Sequence, residues 1–510
     1  MEVVWFKRDL RVSDHRPLAE AAARAASTGN AVLCLYVYEP SLYRDGPLDA
    51  AHHRFIDQSL RELDDALGHL GARLCYRLGE MPDVLERLHA ERRITGLWSH
   101  RETGDAITYA RDLRVGSWCR EHGIPWTERA QNGVIRRLKS RDGWAQRWAR
   151  KMRRPLVDVP GRVVGVTGLD REGPREADEV GAAASARLDT QAGGMTAGRE
   201  TLDGFLHRRG AGYRRDMSSP LYGWGSCSRI SPHLAWGTLS MREVFHATER
   251  RMRWVRDRAR RGRLDDTRWP EALTSFRSRL SWHCHFMQKL EDEPRIEFDN
   301  VNRAYDGLRE SAFDETRFDA WRRGETGYPL VDACMRSLTH TGWLNFRMRA
   351  MLVSFSSYQL WLHWRRPALH LARLFLDYEA GIHFSQMQMQ SGTTGINTLR
   401  IYSPIKQARD QDPDGHFIRQ WVPELRGVPL EHLAEPHRMT GLEQRMAGCI
   451  IGRDYPEPVV EHGAAYRRAK AKMGEVRRRA DARAEARRVA HKHGSRRRPP
   501  ARRRRRPPAS

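Results

Sequence analysis

The chain of 510 residues has no C-x-x-C pair and no close group of cysteines; its seven, Cys34, Cys75, Cys119, Cys227, Cys284, Cys334 and Cys449, are scattered. That spacing argues against a clustered zinc or iron–sulfur centre and predicts reduced, mostly buried thiols of a cytosolic protein with no metal. No apolar run approaches the roughly 20 residues that cross a bilayer, and the opening "MEVVWFKRDLRVSDH" lacks the apolar centre of an export signal. The expected location is the cytoplasm, with no membrane partner. No G-x-G-x-x-G follows the first strand-like run, so the usual dinucleotide fingerprint is missing. Acids are also in short supply, 64 Asp and Glu against 89 Lys and Arg, for a net charge of +25. Residues 465–510 hold 19 of those cations against three acids, and what precedes them is still basic. A polyanionic partner is therefore expected with or without the C-terminal end.

What is present falls into zones. The apolar runs "EVVWF", "AVLCLYVYE", "ARLCYRLG" and "ITGLWSH", with a weaker "IPWTERA", alternate with amphipathic stretches such as "HHRFIDQSLRELDDALGHLG". Buried strands alternating with helices predict a doubly wound parallel α/β domain over residues 1–130. Residues 131–200, Gly-, Ala- and acid-rich in their second half, read as an interdomain linker on the surface. Residues 201–463 are helical in pattern and rich in Trp, whose planar faces pack either against each other or around a flat ligand. Residues 464–510, ending "GSRRRPPARRRRRPPAS", are expected to be a disordered basic tail, serving either solubility or as a non-specific nucleic-acid arm.

Three segments carry chemistry. "GWGSCSRISPHLAWGTLS" offers Ser226, Ser228 and Ser231 as helix N-caps beside Arg229, and free backbone N–H groups at such a turn suit a pyrophosphate. In "FRSRLSWHCHF", His283 and His285 point about 200° apart on a helix and cannot hold one ion together. In "TGWLNFRMRA", Arg347 and Arg349 stand beside Trp343, and one of them can hold Asp377 through a bidentate pair. Asp377 opens an odd run, "LDYEAGIHFSQMQMQSGTTGIN", too polar for a plain core helix and too rich in Gly for a strand.

With "VVWFKRDLRVSDHRPLAEA", "SRISPHLAWGTLS", "AWRRGETGYPLVDACMRSLTHTGWLNFRMR" and "DPDGHFIRQWVPEL" in order, the chain resembles the DNA photolyase and cryptochrome superfamily over nearly all of its length before the tail. The resemblance implies an N-terminal α/β domain that often holds a folate or deazaflavin antenna, and an all-α domain that holds FAD. By matching motifs, Tyr213, Cys227, Ser228, Arg229, Ile230 and Ser231 correspond to the phosphate region, with Cys227 where Thr is usual. Arg349 and Asp377 correspond to the ion pair beside the flavin ring, and Glu379 stands where Asp is common. His383 falls at the position facing flavin N5, and Trp364 is the retained second station of the tryptophan relay.

The same matching exposes departures. Met387 and Met389 replace two Trp, one the first electron donor and the other a wall of the lesion pocket, and the third relay Trp falls near Ser311. Trp282 keeps a pocket wall, and Arg347 and Arg400 keep cations facing DNA. The pocket Glu becomes Arg279, and the Asn and Met of the matching helix become Phe346 and Ala350. The resemblance implies a light-driven photolyase acting on pyrimidine dimers in double-stranded DNA, or else a cryptochrome-like blue-light receptor, or a basic flavoprotein without photochemistry. A monomer is expected, nucleoid-associated if bacterial. Base flipping follows from the chemistry, since a stacked dimer cannot reach a buried flavin.

Overall fold

A computed structural model describes residues 1–494. Five strands, β1 (Glu2–Phe6), β2 (Val32–Tyr38), β3 (Leu74–Leu78), β4 (Gly96–Arg101) and β5 (Trp126–Ala130), form one all-parallel sheet in the order β3-β2-β1-β4-β5. All five apolar runs of the sequence become these strands, and the weak one is β5, a half-exposed edge. Side chains alternate between two cores. Val4, Phe6, Cys34 and Tyr36 meet Leu18, Phe55 and Leu60 on one face, while Val3, Trp5, Leu33 and Leu35 meet Val84, Leu88 and Val115 on the other. A period of two with both faces covered is what a doubly wound sheet requires. The strand order reverses between β1 and β4, so their carboxyl ends open a crevice at the switch point.

The segment expected as linker is partly helix. Trp144–Met152 is helical because Trp144, Trp148 and Met152 recur four apart and bury against Phe205, Phe245 and Phe276 of the helical domain. Beyond it the chain straps the sheet, with Val163 and Val180 buried among residues of the first core.

The largest departure lies at the C-terminal end. Residues 464–493, expected to be disordered, belong to the helices His462–Arg478 and Ala480–His493. Ala465, Ala469, Met473 and Val476 form a stripe at spacings of three and four, and the last three pack with Tyr305, Tyr358 and Trp361. His493 is buried and bonds Glu293 at 2.6 Å, with Lys492 at 3.0 Å from the same carboxylate. The remainder of the expected tail, from residue 495, lies outside the described residues. No helix among the described residues is long and apolar enough to cross a membrane.

Candidate flavin site

The Met- and Gln-rich run that fits neither a core helix nor a strand by composition is a helix, Ala380–Ser391, closed by Gly392 at φ +82°. Its polarity is spent inside. Gln388 accepts from Val301 N at 2.7 Å and Thr393 Oγ1 at 2.9 Å, and donates to Ile296 O and Asp299 O, so a buried amide is fully satisfied. Gly381 permits close packing against the helix Trp269–Asp292, because a Cβ there would come within 2.7 Å of Met287 Cα. Met387 is buried in the main core and Met389 is half-buried.

Just before this helix sits the floor. Arg349 on the helix Phe346–Ser354 reaches both oxygens of Asp377, at 2.9 and 2.8 Å, and its Nε donates to Leu344 O. Asp377 is 4% exposed and Arg349 22%. Burial alone would raise the Asp377 carboxyl; Arg349 and the Ser231 hydroxyl overcome it and hold the group below the usual range, so it is ionised. The α/β domain fastens this segment from outside, His52 Nε2 bonding Phe375 O at 3.0 Å and Arg8 donating to Tyr378 O at 2.8 Å, and Trp236 of the helical region, packed on the α/β core, donates through Nε1 to Leu376 O at 3.1 Å.

The turn at residues 227–231 is clamped by Arg209, which donates to the carbonyls of Gly225, Cys227 and Ser228. Arg229 takes φ +60°, a left-handed conformation rare for a side chain of its size. Its guanidinium lies 3.7 Å from the Trp224 ring and 4.4 Å from Trp343. The expectation that the serines cap helices is corrected here. Ser226 bonds Asp216 at 2.8 Å, Ser231 bonds Asp377, and the helix Ser231–Ala235 has Ile230 at its N-cap position and no side-chain cap. Ser226 and Ser231 are used across the site because the nearby helices are single turns with little to cap. Burial pushes the Cys227 thiol up to about 12, so it stays neutral beside the two arginines. Tyr213 is buried edge-on to Phe205 and Phe276 and hydrogen-bonds Arg279.

His383 is buried, with Nε2 on Ala368 O at 2.8 Å and its ring edge-on to Tyr378 and Phe384. Burial pushes it down to about 4, so it is a neutral imidazole that donates through Nε2 and keeps Nδ1 as an acceptor. Trp364 is buried and donates to Asn300 Oδ1 at 2.8 Å, with its ring 6.5 Å from Phe384. Sequence reasoning missed one partner. His283, dismissed as a metal ligand, bonds Glu379 Oε2 at 2.6 Å. Burial alone would lower it; the Glu379 carboxylate and the Cys284 thiol carry it instead up to about 10, so it is a cation at neutral pH. The signal available was the pairing of two titratable groups, one on each of two helices that the sequence could not place together.

The rim is aromatic and basic. Trp282 is 42% exposed, with Arg279 5.6 Å from its ring, and Phe346 is 52% exposed three residues from Arg349. Arg279 and Arg400 are exposed, Arg347 is half-buried with its Nε unpartnered, and Ala350 is buried. Rim and floor join through adjacent positions, since Trp282 precedes His283 on one helix. Another cluster, Asp9, His15 and His100, has the composition of a metal site, but Asp9 Oδ2 accepts from His15 Nε2 at 2.9 Å and His100 Nδ1 at 2.7 Å. His15 Nδ1 accepts from Leu18 N, which fixes the proton on Nε2, and the trio is a closed hydrogen-bond network.

Fold and site together define a two-domain protein in which a parallel α/β domain buttresses a helical cofactor domain. A family described as DNA photolyase matches residues 2–147, and one described as the FAD binding domain of DNA photolyase matches residues 276–475. A deoxyribodipyrimidine photo-lyase of Streptomyces griseus is 31% identical over 484 residues, 91% of this chain and 97% of its own. A cryptochrome DASH of Gloeobacter violaceus is 28% identical over 493 residues, 90% of this chain and 93% of its own. Among solved structures, a bacterial class III photolyase from Agrobacterium tumefaciens superposes with a TM-score of 0.78 at 26% identity, covering 94% of this chain and 98% of that one. The chain belongs to the DNA photolyase and cryptochrome family and carries its FAD-binding domain.

Proposed function

We propose that the protein is a light-driven DNA photolyase that splits UV-induced pyrimidine dimers. The observation that carries this reading is an exposed Trp282 with the Arg279 guanidinium 5.6 Å from its ring, one residue from the His283–Glu379 pair. Exposed aromatic faces with arginines are what a flipped, unstacked base pair needs.

The residues fit FAD. Arg229 and Arg209 surround a turn suited to a pyrophosphate, and the Arg349–Asp377 pair and the charged His283 lie where an anionic flavin ring is favoured. Bound reduced FAD supplies, on absorbing blue light, an electron that a dimer accepts and returns. The chain's own part is positional. Asp377 keeps Arg349 oriented, Glu379 keeps His283 protonated, the neutral His383 offers Nδ1 as a fixed acceptor, and the exposed rings of Trp282 and Phe346 offer faces on which a flipped base can stack. The crevice at the β1/β4 switch point, lined by Trp5, Tyr36, Glu39, Arg111 and Trp236, is the place we assign to a second, antenna chromophore.

A second reading, a blue-light receptor of cryptochrome type, is favoured by Met387, a buried thioether at the position of the first electron donor. Illumination of the reduced protein with dimer-containing duplex separates the two. Restoration of intact thymines supports repair, and a light-dependent flavin absorbance change without restoration supports the receptor.

A further inference from the structure

Residues 250–263, "RRMRWVRDRARRGR", hold eight Arg against one Asp, and neither the flavin site nor the rim uses them. They lie at the end of the helix Met241–Arg260 and in the turn after it. The apolar side of this helix, Val244, Thr248, Met252 and Val255, is buried, so none of it is free to enter a lipid surface. The opposite side carries Arg250, Arg253, Trp254 and Arg260, all exposed. Arg250, Arg253 and Arg260 have no carboxylate at ion-pair distance among the described residues; Asp257 pairs with Arg261 at 3.2 Å. Trp254 is 48% exposed and is gripped by the guanidinium groups of Arg251 at 4.2 Å and Arg258 at 5.3 Å from its ring, and the Nε atoms of both are buried without a partner. The neighbouring helix Trp144–Met152, tied on by His246 Nε2 to Met152 O at 2.9 Å, adds exposed Arg150 and, just past its end, Arg153 and Arg154.

This surface is not the rim. Arg277 of the helix Trp269–Asp292 pairs with Glu249 at 2.7 Å, which fixes the flank facing Met241–Arg260. Arg279 and Trp282 lie two and five residues on, about 200° and 140° round the helix. Arg250 to Arg260 span about 15 Å, a length over which a duplex presents about nine phosphate charges. We propose that the helix Met241–Arg260 and the turn after it form a second, sequence-independent contact surface for the phosphate backbone of duplex DNA. The rigid, amphipathic helix holds its cations in one row, which suits a stiff duplex. The inference rests on the DNA-binding half of the reading above and not on repair.

The test measures binding of the full chain to intact and dimer-containing duplex DNA as salt is raised, for the wild type and for Arg250→Gln, Arg253→Gln, Arg260→Gln combined. The slope of log affinity against log salt shrinks by about 3, one for each phosphate that no longer meets a cation, while the ratio of damaged to intact binding stays as it was. The same three positions changed to Lys keep the wild-type slope, and Arg253→Gln alone lowers it by about 1, which keeps the test open if the triple variant does not fold. An unchanged slope in the Gln variants overturns the proposal, as does a Lys variant whose slope falls as far as that of the Gln variant. So does a loss confined to duplex RNA or to anionic phosphatidylserine vesicles. A wild type with no preference for damage whose slope still falls in the Gln variants retires the lesion pocket and upholds this surface.

Discussion

The floor of the flavin site and its rim have met opposite fates. On the floor, Asp377, Arg349, Ser231 and the neighbouring backbone are linked so that each group answers another, and removing one strands a charge with little access to water. On the rim, Trp282, Arg279 and Phe346 are open to solvent, and a change there costs packing on one side only. On the reading proposed above, Arg279 stands where the family resemblance implies a carboxylate and Phe346 where it implies an amide. The lesson is physical: interlocked buried polar groups resist piecemeal substitution, whereas an exposed aromatic and basic rim can be rebuilt one residue at a time.

The sharpest way to break this comparison is Asp377→Ala. It leaves Arg349 facing an apolar wall with no counter-charge, at a cost of about 3 kcal/mol, the low end for a broken buried pair because Arg349 keeps some access to water. The variant is expected to purify without FAD and to unfold at lower urea. Full flavin content, read from the absorbance ratio, would show that the floor is as replaceable as the rim.

Trp282→Ala addresses the other half. Loss of one stacking face costs about 1 to 3 kcal/mol, expected in the affinity for dimer-containing DNA and not in flavin content or in affinity for intact duplex. An equal loss on both DNAs would make Trp282 part of a general backbone contact and move the pocket elsewhere.

Much of the floor was legible because its signals are local. The strand runs are short and bounded, and Arg349, Asp377 and the 227–231 turn sit in recognisable strings. What escaped was long-range. His283 and Glu379 are 96 residues apart in sequence and meet only when two helices pack at Gly381. The C-terminal helices escaped for another reason. Their stripe is built from Ala465, Ala469 and Ala482 with a single Met473 and two Val, so a high density of Arg hid a real period of three to four. Aromatic partners at Tyr305, Tyr358 and Trp361 supply the bulk the stripe lacks. Truncation at residue 465 is accordingly expected to expose those rings and aggregate, while truncation at 495 leaves a soluble, yellow protein.

A milder perturbation is pH. His283 is lifted to about 10 by Glu379, so the stabilisation from this pair is complete below the ordinary imidazole value near 6.5 and is lost as pH rises through 10. Flavin retention is expected to hold flat from pH 6.5 to 8 and to fall above pH 9. In Glu379→Gln the partner charge is gone, burial drives His283 below its ordinary value, and the fall should move to below pH 6.5. An identical profile in wild type and variant would separate flavin binding from the charge on His283.

The smallest equilibrium effect is expected at Met387, where the comparison is decided by rate. Flavin photoreduction needs a donor next to the ring, and a thioether gives up an electron far less readily than an indole. Trp364 is buried behind Phe384, and Trp343, which meets the surface-exposed Trp224 at 5.5 Å between ring centres, offers another exit. The Arg229 guanidinium, however, lies against both of those rings, and a fixed cation disfavours the positive charge an oxidised Trp must carry. Wild-type photoreduction is therefore expected to be slow without an added reductant. Met387→Trp places an indole in the main core, with an overpacking cost of about 1 to 2 kcal/mol, and should speed photoreduction while flavin content and DNA affinity stay as they were. Fast photoreduction in the wild type, abolished by Trp343→Phe and indifferent to Met387→Trp, would show that the Trp343–Trp224 pair carries the electron despite Arg229. The rebuilt rim would then come with a rebuilt wire.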